Sequence, residues 1–156
     1  MPTKKKNKSL SSEDKKLIEE IIRVDHAGEH GATQIYRGQL AIFKENTEFG
    51  KEIKEMADQE EIHKSTFDEY IVKENVKPTA LFPFWNLAGY ALGLGTALMG
   101  KKAAMACTVA VEEVIGQHYD EQAKELSKRK LKPDLLKTVK KFRDCLLYTS
   151  DAADDC

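Results

Sequence analysis

Glu60-Glu61-Ile62-His63 sets a carboxylate and an imidazole three residues apart. On a helix that spacing puts both side chains on one face, where they can hold a single cation. Taken alone the spacing is close to what chance supplies in a chain with 16 Glu and 4 His. Its weight comes from where it falls. Steps of about 4, 7 and 11 residues return to the same helix face. Ile53, Met56, Phe67 and Ile71 share a face with Glu60 and His63. Ile18, Ile22, Tyr36 and Leu40 place Glu29 in the middle of an apolar stripe, and Met105, Tyr119 and Ala123 do the same for Glu112. A lone carboxylate in a core is costly and tends to neutralise. Several converging ones call for a cation, and carboxylate oxygen with imidazole nitrogen suits iron or manganese better than a thiolate-seeking metal. The competing reading is a shifted register, with one or more of these glutamates facing solvent.

Those side chains need long helices to carry them. Residues 12–45 read as helix 1, with Ser11 and Ser12 ahead of Glu13 and Asp14 as a capping signal. Residues 47–75 read as helix 2, capped by Thr47 and stopped before Pro78. Residues 84–129 read as helix 3, with a break expected near its glycines, and Pro133 opens a fourth helix over 133–147. No strand alternation is visible. The expected fold is all-α, an antiparallel helical bundle. Bundles that hold two metals use one Glu from each of two helices and a Glu-x-x-His from each of two others. Glu29, Glu60/His63 and Glu112 follow that order, but no second Glu-x-x-His appears in helix 4.

Composition narrows the function classes. With 156 residues the chain fits one domain. Net charge is -1, which offers no basic face for nucleic acid. Lys4, Lys5, Lys6 and Lys8 form a basic cluster in the first 11 residues, read as a disordered solvated tail, with weak attraction to anionic lipid as the alternative. Cys107, Cys145 and Cys156 are widely spaced and make no disulfide framework. The N-terminus carries Lys without an apolar run behind it, so no cleavable signal peptide is expected. Leu81 to Gly100 contains no charged residue. Three readings stay open for it: a buried core helix, a membrane-contacting surface, or a single span. Its Gly89 and Gly93 form a GxxxG pair that permits close helix packing.

Several segments carry a more specific signal. They are IleIleArgValAspHisAlaGlyGluHisGlyAla (21–32), AspGlnGluGluIleHis (58–63), LeuPheProPheTrpAsn (81–86), AlaLeuGlyLeuGlyThrAlaLeuMetGly (91–100) and AlaMetAlaCysThrValAlaValGluGlu (104–113). In this order they resemble the demethoxyubiquinone hydroxylase family over about residues 17–144. The resemblance implies a ferritin-like di-iron bundle peripheral to an inner membrane, on the matrix side of mitochondria or the cytoplasmic side of a bacterium. It implies hydroxylation of a demethoxyubiquinone-type ring with O2, a polyprenyl quinone substrate, two irons, and NADH or NADPH as reductant, direct or through a partner. A complex of ubiquinone-biosynthesis proteins is an implied partner. Carried over by residue, Glu29, Glu60, His63 and Glu112 match metal ligands, and the His118-Tyr119 pair matches a site of electron or proton delivery. Tyr119 lies seven residues after Glu112 and shares its face; a packed core tyrosine is the structural alternative. His26 and Asp25 are candidates to orient a ligand carboxylate, and His30 receives no role.

The chain departs from the family after LysLysPheArgAsp (140–144). Leu135, Val139, Phe142 and Leu146 form the inward stripe, and Leu146 and Thr149 stand where the second Glu-x-x-His belongs. Residues 145–156 lose helical period after Leu147 and end in an acidic run that includes Asp151, Asp154 and Asp155, so they are read as a non-native tail on a bundle domain of 12–144. The expectation is an enzyme family whose activity is impaired in this chain. Two alternatives remain: an iron-binding ferritin- or rubrerythrin-like bundle, and a non-enzymatic membrane-associated helical protein with salt-bridged glutamates.

Overall fold

The computed structural model describes residues 10–154, with side chains described through Leu146. The basic cluster at Lys4–Lys8 lies outside the described residues, as do the side chains of Thr149, Asp151, Asp154 and Asp155. Five helices follow one another: α1 (Ser12–Leu40), α2 (Glu48–Lys73), α3 (Phe82–Leu98), α4 (Lys101–Arg129) and α5 (Pro133–Asp154).

Local chemistry sets most of the ends. Ser11 accepts from the Asp14 amide, and Thr47 accepts from the Gly50 amide, so both helices start on a side-chain oxygen that satisfies an otherwise unpaired N–H. The long uncharged stretch breaks at Gly100, which adopts φ 111, a conformation L side chains avoid, and two helices replace the single one over 84–129. Helix α1 stops at Leu40, five residues short of the sequence reading, and α5 runs past Leu147 to Asp154. No Pro or Gly follows Pro133 to end it.

Helices α1, α2, α4 and α5 enclose one core. Ile18 and Ile22, Phe67, Tyr119 and Leu126, and the α5 stripe Leu135, Val139, Phe142 and Leu146 all belong to it. Each such side chain contributes roughly 1.5–3 kcal/mol on burial. This is the all-α bundle expected from the pattern, and it is consistent with the ferritin-like bundle that the resemblance implies. Helix α3 lies outside it, against α1. A Cβ on Gly93 would collide with the Ile35 backbone, and one on Gly89 would meet the Gly31 carbonyl, so the two glycines let the backbones touch. No helix among the described residues is long and apolar enough to cross a membrane. Helix α3 instead buries its small residues and exposes Phe84, Trp85, Leu87, Leu92 and Leu98.

Candidate metal centre

The apolar stripes that aim Glu29, Glu60, His63 and Glu112 inward bring them together. All four are buried, with exposures of 0%, 4%, 2% and 6%. Glu29 comes from the middle of α1, Glu60 and His63 from α2, and Glu112 from α4. His63 Nδ1 lies 3.5 Å from Glu60 Oε1 and 3.8 Å from Glu29 Oε2. Phe142 of α5 stacks on the His63 ring at 3.9 Å between centroids, which fixes the imidazole plane.

Two tyrosines hold one oxygen of two of the carboxylates. Tyr119 donates its hydroxyl to Glu29 Oε1. Tyr36 donates to Glu112 Oε1 at 2.7 Å. The pattern had marked Tyr36 only as part of an apolar stripe. A tyrosine on such a stripe beside a buried carboxylate is the signal that could have found it, because a buried phenol needs an acceptor.

The remaining atoms are the telling ones. Glu29 Oε2, Glu60 Oε2, Glu112 Oε2 and His63 Nδ1 are buried and have no hydrogen-bond partner among the described residues. Burial pushes Glu29 well above the ordinary carboxylate range, and the charge of Glu60 pushes it further. Glu60 is desolvated too, but the neighbouring His63 imidazole and Glu29 carboxyl outweigh this and hold it below its usual value. Burial raises Glu112 to about 7, with the Tyr36 bond opposing and the Glu60 charge adding to the rise. Glu29, Glu60 and His63 offer ligand atoms within 4.8 Å of one another, dry and partly unpaired, a donor set for a divalent cation with hard-to-borderline preference, and Glu112 stands beside Glu60. A cavity of about 10 Å³ beside Glu60 and Glu112 has room for an atom of water or ion size. The residues present therefore fit a metal.

His118 does not join them. It is exposed, and its Nδ1 lies 3.0 Å from the Val114 carbonyl one turn back on α4. The reason is angular: Tyr119 returns to the face of Glu112, and its neighbour points about 100° away. Asp25 is buried nearby, accepts from Gln122 Nε2 at 2.7 Å, and is raised by burial to about 8. His26 turns away from the ligands and meets Asp68. Leu146 is buried on the inward stripe of α5, as expected, and brings no ligand.

Comparison with known proteins decides the family. The family model described as "Ubiquinone biosynthesis protein COQ7" matches residues 16–154. The chain belongs to this family. A relative from Dictyostelium discoideum, named NADPH-dependent 3-demethoxyubiquinone 3-hydroxylase, mitochondrial, is 54% identical over 131 residues, covering 83% of this chain and 60% of that protein. The human protein of the same name is 49% identical over 138 residues, covering 87% of this chain and 63% of its own length. A 3-demethoxyubiquinol 3-hydroxylase from Rhodospirillum rubrum is 47% identical over 127 residues, covering 81% and 59%. The chain thus spans less than two thirds of the length of these relatives.

Proposed function

We propose that this chain carries the metal-binding part of a di-iron monooxygenase that hydroxylates a demethoxyubiquinone-type ring. The observation that carries the reading is the convergence of Glu29 and Glu60 on His63 in a dry bundle core, with Glu112 lining a small cavity beside Glu60. The names of the relatives supply the substrate class, the NADPH reductant and the mitochondrial setting. Glu29, Glu60, His63 and Glu112 would hold the metal. Bound iron supplies the activation of O2 for insertion of one oxygen into the ring.

The protein's own share is positioning and exclusion of water. An apolar groove of about 610 Å³ runs between α1, α3 and α4. Ala32, Ile35, Val111 and Ile115 wall both this groove and the small cavity beside Glu60 and Glu112. A quinone ring entering the groove reaches the carboxylates through that shared wall, with its isoprenoid tail against Trp85 and Leu92. The exposed apolar residues of α3 give the groove mouth a peripheral seat on an inner membrane, at the matrix or cytoplasmic face. Tyr119 holds a proton at Glu29 Oε1 and is placed to move one. Helix α5 contributes no Glu or His, so the described residues offer four candidate ligands where a complete di-iron set has six. Turnover by the chain as given is therefore low.

The test is anaerobic loading with Fe(II), followed by O2, NADPH and a short-chain demethoxyquinone. We expect iron bound in the core and lost in Glu60→Gln, with little product. A chain that binds no iron refutes the reading. Full turnover would refute the four-ligand argument alone.

A further inference from the structure

A second group of ligand-type side chains sits on α1 and α2, two of the helices that carry the first. His26 and His30 lie one turn apart on α1, and Asp68 faces them from α2. His26 Nε2 is 3.0 Å and His30 Nε2 is 2.7 Å from the same atom, Asp68 Oδ1. The ring centroids are 4.5 Å apart. Phe82, the first residue of α3, stacks on His26 at 5.2 Å and meets His30 edge-on at 4.6 Å, so both ring planes are held from one side.

We propose that His26, His30 and Asp68 form a second metal site, separate from the carboxylate cluster, that takes a borderline divalent ion of the zinc class. Two imidazole nitrogens and one carboxylate oxygen suit zinc, copper or nickel, whereas magnesium and calcium prefer all-oxygen shells. Three protein ligands leave a position for water. The three ligand atoms lie within 4.8 Å of one another, so small side-chain rotations let them surround one ion. Exposure of the side chains rises from 6% at His26 through 17% at His30 to 45% at Asp68, which opens the site to solvent on the carboxylate side.

The alternative is a hydrogen-bonded brace between α1 and α2 that never takes a metal. Zinc titration by calorimetry separates the two, using the full chain with the core disabled by Glu60→Gln. The proposal expects one zinc ion bound in that background. Adding His30→Gln or Asp68→Asn, both partly exposed and able to keep a hydrogen bond, should weaken it by at least about tenfold. No zinc in the Glu60→Gln chain, or affinity unchanged by both added substitutions, overturns the proposal. A measurement free of variants guards against a chain that fails to fold. In the unaltered protein, zinc should shift the ¹⁵N resonances of His26 and His30 Nε2. Shifts confined to His63 would overturn the second site while leaving the core centre intact.

Discussion

The core cluster draws on α1, α2 and α4 and the rim cluster on α1 and α2, both with carboxylates and imidazoles, yet they are in opposite states. At the rim, Asp68 Oδ1 is shared by two imidazoles and its carboxylate reaches water. In the core, three glutamate oxygens have no partner among the described residues and no water access. Burial makes the difference. An exposed carboxylate can rest without a cation, whereas desolvated carboxylates must take up protons or a metal. The rim cluster can accept an ion; the core cluster requires one to carry its full charge.

The largest expected effect follows from that requirement. Fe(II) at about a hundredfold above its dissociation constant should raise the unfolding free energy by about 2.7 kcal/mol. Anaerobic urea denaturation of the chain with and without Fe(II) measures this, and Glu60→Gln should abolish the gain. Next comes Tyr119→Phe, which removes the donor to Glu29 Oε1 and leaves a further buried oxygen unpaired. In the metal-free chain it should cost about 2 kcal/mol by urea denaturation, and less with Fe(II) present.

The two clusters should also respond oppositely to pH without metal. Glu112 and Asp25 have folded values of about 7 and about 8, above the ordinary 4.5 and 3.8. Their contribution is fully present below the ordinary values and is lost as pH rises through the folded ones. His26 is shifted below 6.5. Its depressed value favours the neutral folded form, so stability falls as pH drops below 6.5. Denaturation midpoints from pH 5 to 8 should show the core loss on the alkaline side, and Fe(II) should suppress it. His26→Gln should remove only the acid-side loss. The smallest effect belongs to His30→Gln in the metal-free chain. It trades one partly exposed hydrogen bond for another and should change stability by less than about 1 kcal/mol.

Helical periodicity made the core cluster legible. Glu29, Glu60, His63 and Glu112 each sit at a register where only apolar neighbours belong, and all four are buried. The same arithmetic separates Tyr119 from His118, yet the His-Tyr match put both in the site; one residue on a helix decides between core and solvent. The rim cluster was not legible, because its meaning lies in the pairing of α1 with α2, and periodicity within one helix cannot bring Asp68 to His30. The split of the uncharged stretch was visible in its glycines, but its position at Gly100 depends on a positive φ that several glycines could have supplied. The reach of α5 to Asp154 was missed because fading apolar period does not stop a helix that meets no Pro or Gly.

The measurement that bears most directly on the buried carboxylate cluster is iron retention after anaerobic Fe(II) loading and gel filtration. It is best made in the His30→Gln background, where the rim site is silent. The account predicts about one iron per chain, held by the four core ligands, and its loss in Glu60→Gln. No retained iron, or equal retention in Glu60→Gln, would contradict it.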